Sequence, residues 1–89
     1  MTLKQLLAQA AEFQWTFICH YSGEVDYKGK DPDLALEALE ACDTMSLRIH
    51  DVVGNSVGAC LIVTEADADP EEQIADYGGR RLDAMFDEA

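Results

Sequence analysis

Three thiols and two imidazoles are the first groups in this sequence to test as nucleophile or base: Cys19, Cys42 and Cys60, with His20 and His50; the 18 carboxylates, read as solvated, yield no nominated acid–base pair. Cys19 and His20 are adjacent in the run WTFICHY, whose alternation and aromatic content read as a strand. Neighbours in a strand project to opposite faces, so these two cannot form a dyad with each other. His50 lies in another strand-like run and could face His20 across a sheet. A nucleophile also needs a base, an orienting group and a pocket, and no motif here signals them. Both histidines are therefore read as exposed strand residues. The chain is read as non-enzymatic, with a small hydrolase or metal-dependent enzyme built on His20, His50 and an acidic loop as the enzyme-class alternative.

The cysteines are odd in number, widely spaced and without a CxxC pair, which argues against a disulfide scaffold and a zinc site. Each sits in an apolar run, where a free thiol behaves as a small hydrophobe, and this fits a reducing cytosol. Glu65, Asp67, Asp69, Glu71 and Asp76 alternate like the oxygen ligands of a calcium loop. Counting Glu65 as the first position, however, places Pro70 where that loop needs glycine and Asp76 where it needs a bidentate glutamate. An EF-hand is excluded, and no metal site or cofactor is nominated. Gly78-Gly79-Arg80-Arg81 lacks the spacing of a phosphate-binding loop and reads as helix punctuation.

Charge is the most unusual property of the chain. Eighteen acidic residues against six basic ones give a net charge of −12 in 89 residues, and the pI is near 4.1. Such a surface repels phosphate backbones and anionic membranes, so no direct nucleic-acid or membrane binding is expected, and a basic protein partner is. Residues 31–43 hold five acids and residues 65–76 six, with no base in either stretch. The candidate partner-binding residues are Asp31, Asp33, Glu37, Glu40 and Asp43, with Glu65, Asp67, Asp69, Glu71 and Glu72 as a second group. Aligned in rows, such carboxylates would imitate the phosphates of a duplex, whereas scattered they would only keep the protein in solution.

The elements that position these groups follow from capping and periodicity. Thr2 and Gln5 make a capping box, and Leu3, Leu6, Leu7, Ala10 and Ala11 share one face of a helix from 2 to about 11. The strand 15–21 turns at Ser22-Gly23 into a return strand from 24 to about 28, with Val25 and Tyr27 on one face. Asp31 as N-cap and Pro32 at the first helical position start a second helix that ends near Cys42, with Leu34, Ala35, Ala38, Leu39 and Cys42 as its buried stripe. Strands 45–53 and 57–63 form a second hairpin about Gly54-Asn55-Ser56, and Gly58 marks a bulge or a close approach. Asp69-Pro70 predicts a turn or two of helix over 71–77, and residues 80–88 a last helix with Leu82, Met85 and Phe86 on one side. The expected fold is a single α+β domain over 1–89: a four-stranded, mainly antiparallel sheet from two hairpins, a helix packed on one face, and flanking N- and C-terminal helices. The N-terminal segment is too short and polar for a signal peptide, and no apolar stretch approaches the ~18 residues of a membrane span, so a cytoplasmic location is expected.

The run GEVDYKGKDPDLALEALEACDTMSLRIHD, then VGNSVGACLIV, then DPEEQIADYGG, resembles small uncharacterised acidic proteins of tailed phages and prophages over residues 20–79. The resemblance transfers no catalytic residues. It implies a binding protein active in the host cytoplasm that inhibits a host protein, one form being a nucleic-acid mimic directed at restriction, CRISPR or transcription machinery. The leading expectation is thus a non-enzymatic acidic phage-type protein that engages a basic host or phage partner. The alternative is a homo-oligomeric structural or accessory phage protein that associates through the sheet around Thr16, Ile18 and His20, with its acidity serving solubility alone.

Overall fold

The first helix begins where its cap places it. Thr2 Oγ1 accepts from Gln5 N at 3.3 Å and Gln5 Oε1 accepts from Thr2 N at 2.9 Å, so both arms of the capping box close. A computed structural model describes residues 1–75, with the backbone alone at Ile74 and Ala75. Helix α1 spans Leu3–Glu12 and buries Leu3, Leu6, Leu7 and Ala10. Strand β1, Thr16–Tyr21, turns at Ser22 (φ 52°) and Gly23 (φ 81°) into β2, Glu24–Gly29. Positive φ at both central residues makes a type I′ turn, whose twist matches that of the flanking strands. Helix α2, Pro32–Glu40, follows, with the Asp31 carboxylate accepting from Asp33 N and Leu34 N. Strands β3, Thr44–His50, and β4, Ser56–Val63, make the second hairpin. A 3₁₀ turn at Pro70–Glu72 and the two-residue strand β5, Ile74–Ala75, complete the described chain.

The strands line up in the order β2-β1-β3-β4-β5, and every pairing is antiparallel. The chain leaves β2 at one edge, crosses the sheet as α2 and returns as β3 against the other side of β1. The four long strands form the expected two hairpins, and both helices cover one face. Phe17, Cys19, Met45, Leu47, Ile49, Cys60 and Ile62 meet Leu3, Leu6, Leu7, Ala35 and Leu39 in one buried cluster. Burying the Leu, Ile, Phe and Met side chains among them is worth about 1.5–3 kcal/mol each, and this layer carries the stability of the domain. Thr16, Ile18, His20, Ser46, Arg48 and Leu61 alternate with the core residues and so lie on the face that the two helices leave open; Ala59, paired with Arg48 on that face, is nonetheless buried.

Several local expectations are corrected. Val25 and Tyr27 do not share a face: Cys19 pairs with Tyr27 and His20 with Val25, so Asp26 is the extra residue of a β-bulge. Tyr27 stays on the core side, and Val25 turns to the open face, 52% exposed. Leu34 is 48% exposed rather than buried, because Ala35 and Leu39 are the positions of α2 that meet the sheet. The third strand stops at His50 instead of reaching residue 53. Asp51 Oδ1 accepts from Val53 N at 2.9 Å and Asn55 N at 3.0 Å, which closes a tight loop and turns Val52 and Val53 to solvent. The expected irregularity at Gly58 is present: Ile49 pairs with Gly58 and His50 with Ser56, with Val57 the bulged residue. No helix continues past the 3₁₀ turn to Ala75, because Ile74 and Ala75 pair with Cys60 and Ala59 instead. Asp76, Gly78–Arg81 and the expected helix over 80–88 lie outside the described residues.

Candidate functional site

Helix α2 gathers the first acidic group. Asp33, Glu37 and Glu40 stand at i, i+4 and i+7, one stripe of the exposed side, and all three are solvent-exposed. Asp43 is exposed just beyond the helix end. Asp31 is exposed too, yet its carboxylate is engaged in capping, at 2.9 Å from Asp33 N and 3.3 Å from Leu34 N. Beside the stripe runs a groove of about 350 Å³ between α2 and β2, lined by Asp26, Tyr27, Leu34, Glu37, Ala38 and Ala41. Tyr27 Oη accepts from Asp31 N at 3.0 Å and ties β2 to the start of the helix. The groove pairs two carboxylates with an exposed leucine and a tyrosine ring, a combination that receives a lysine or arginine stem and its charge.

The second group lies on the loop after β4. Glu65, Asp67, Asp69, Glu71 and Glu72 are all exposed. The loop is tied to the start of α1 by Leu3 N donating to Ala68 O at 3.0 Å, and Asp69 Oδ1 accepts from Glu71 N at 3.0 Å as the cap of the 3₁₀ turn. Helix α1 also meets α2, where Lys4, Leu7 and Ala8 line a cleft with Pro32, Asp33 and Leu36. The acids therefore form two patches with α1 between them, not one continuous row. Among the described residues no carboxylate of either patch is held in an ion pair.

Among the described residues, thiol and imidazole chemistry finds no assembled site. Burial first, and then the charge of Asp26, pushes the Cys19 thiol up to about 12; burial and the neighbouring Cys19 do the same to Cys60. Cys42 Sγ lies 3.7 Å from Asp26 Oδ2, and desolvation, the Asp26 charge and hydrogen bond, and the Asp43 charge all raise it above the ordinary thiol range. A reactive cysteine needs the opposite environment. The two histidines share the open face without facing each other. His20 pairs with Ser46 and His50 with Thr16, a separation of four residues along the ladder, or about 13 Å. No three His, Cys, Asp or Glu side chains among the described residues converge on a point where a metal ion could sit.

Asp26, Tyr27 and Leu34 are not among the site residues expected from the sequence, where Tyr27 and Leu34 figure only as strand and core positions. Asp26 is one of two acids in a short strand, and only the bulge and the passage of α2 bring it to the helix face. No helix among the described residues is long and apolar enough to cross a membrane. No family model matches the chain, and comparison with curated proteins and with solved structures finds no match either, so its functional reading rests on the geometry of these two patches and the groove.

Proposed function

We propose that the protein is a non-enzymatic binding protein that engages a basic protein partner through the exposed side of α2. The observation that carries this reading is the stripe Asp33–Glu37–Glu40, unpaired among the described residues and set beside the groove of Asp26, Tyr27 and Leu34. Surface carboxylates in a net −12 chain steer a cationic partner from a distance, while the groove supplies short-range contact. The resemblance to small acidic phage proteins gives the context, a basic host or phage protein in the host cytoplasm. A nucleic-acid mimic is the finer form of the reading. Three charges over the roughly 10 Å from residue 33 to residue 40 are sparser than the phosphates of one strand, at about 3.4 Å each along the axis. Mimicry would therefore need the carboxylates at 65–72 as a second row.

The test is affinity capture from a bacterial lysate with tagged wild type and with the triple variant Asp33→Lys, Glu37→Lys, Glu40→Lys, eluted by salt and separately by DNA. The three positions are exposed, so the variant keeps its fold, as circular dichroism checks. The expected outcome is a basic protein held by the wild type, released by salt and absent from the variant; release by DNA as well selects the mimic form. A partner retained by the triple variant overturns the reading. A second reading, self-association through the open sheet face, is favoured by the half-exposed Val25, Leu61 and Val63 there. It requires a dimer or larger species in light scattering that persists in high salt.

A further inference from the structure

The opposite side of the molecule has a different chemistry. Strands β1, β3 and β4 contain no acidic residue, and the open face carries Lys28, Arg48, His20 and His50. At one end of this face lies a groove of about 520 Å³. Its floor is Thr16 and Ile18 of β1. Lys28 of β2, paired with Ile18, forms one wall; His50 of β3, paired with Thr16, forms the other together with the loop at 51–54.

That loop is held rigidly. Gly54 N donates to Asp51 O at 3.0 Å, and Asp51 N to Asn55 O at 2.9 Å. His50 Nδ1 stands 3.1 Å from Gly54 O, so this nitrogen carries the proton and the ring is fixed against the loop. Asp51 is the one acid in the wall, and its carboxylate is turned into its own loop by Val53 N, Asn55 N and Asn55 Nδ2. Val52 and Val53, 64% and 77% exposed, then stand as apolar groups at the groove's rim.

We propose that this groove is a binding site for an organic carboxylate carrying a short apolar body. The Lys28 ammonium and the Thr16 hydroxyl hold the carboxylate, and Ile18, Val52 and Val53 cover the body. Strand spacing sets the backbones at Lys28 and His50 about 12 Å apart across β1, which leaves room for one such group between their side chains. The two acidic patches lie on the helical side, and at physiological salt a charge beyond about 8 Å is largely screened, so these patches do not close the groove to an anion. The site is independent of the acidic surface proposed for the protein partner. Its ligand is either a free carboxylic acid or the C-terminus of a peptide, which share this chemistry.

The experiment is an amide-shift titration of the ¹⁵N-labelled full chain with hexanoate, with N-acetyl-Val-Leu bearing a free C-terminus, and with hexan-1-ol. Expected are shifts confined to Thr16, Ile18, Lys28 and the loop from His50 to Gly54, caused by one or both carboxylates and not by the alcohol. The tighter of the two identifies the source. Lys28→Met keeps the length of the side chain and removes its charge, and is expected to weaken binding about tenfold or more, the value of a charged hydrogen bond. Because Lys28 is exposed, the variant folds, and its own amide spectrum reports this. Binding of the alcohol as strongly as hexanoate, undiminished binding by Lys28→Met, or an absence of shifts at these residues with both carboxylates overturns the proposal.

Discussion

Asp51 and Asp33 are both acids on the surface, yet their surroundings give them opposite roles. Asp33 faces water without a partner among the described residues, whereas Asp51 accepts from Val53 N, Asn55 N and Asn55 Nδ2. Partial desolvation acts to raise the Asp51 carboxyl, but the hydrogen bonds from Asn55, Val53 and Gly54 outweigh it and hold the group below the ordinary aspartate range. A carboxyl lowered in the folded state stabilises the fold above the unfolded-state value of about 3.9, and that contribution is lost as pH falls through the folded value. Stability of the wild type measured by urea unfolding is therefore expected to fall more steeply between about pH 5 and pH 3 than that of Asp51→Asn. Parallel profiles would mean that the loop does not favour the charged carboxylate. Acids that cap or close loops, Asp31, Asp51 and Asp69, belong to the fold. Asp33, Glu37 and Glu40 neither cap a helix nor close a loop, which leaves their carboxylates available to the proposed partner.

At the scale of elements, what was legible in the sequence is what local chemistry decides. Thr2 with Gln5, Asp31 with Pro32 and Ser22-Gly23 each settle a helix start or a turn within a few residues, and each forms where expected. Register is not local. The bulge at Asp26 depends on β2 pairing with β1, and it decides that Val25 faces out and that Asp26 reaches Cys42. The same limit applies to the site. The acids of α2 were visible because composition concentrates them, while the groove beside them needs β2, the bulge and Leu34 in three dimensions. Leu34 and Leu39 read alike in sequence, yet Leu39 is fully buried and Leu34 is 48% exposed. Leu39→Ala should cost about 2–5 kcal/mol in urea unfolding, as core leucine truncations do, and Leu34→Ala under about 0.5 kcal/mol. Equal losses would mean that α2 is rotated from the orientation described.

At the scale of the molecule, the described residues divide by charge: a helical layer edged with acids on one side, and a sheet face with cations and half-exposed aliphatics on the other. The division has a thermodynamic consequence apart from any ligand. Among the described residues no acid of the two acidic patches is ion-paired, so those carboxylates repel one another across the helical side with no described cation fixed against them. Repulsion of this kind destabilises the compact state, because unfolding spreads the charges apart. At 10 mM salt the screening length of about 30 Å is comparable to the 32 Å long axis of the molecule, so nearly every pair contributes. At 0.15 M it falls to about 8 Å, and only neighbours within a patch still interact. Sodium chloride is thus expected to raise the melting temperature between these two conditions, by about 4–8 °C for each 1 kcal/mol of repulsion removed in a domain of this size. Ion pairs respond in the opposite sense, since salt weakens them. A melting temperature that stays level or falls in calorimetry would show the carboxylates to be compensated, and would withdraw the free charge on which engagement of a basic partner depends.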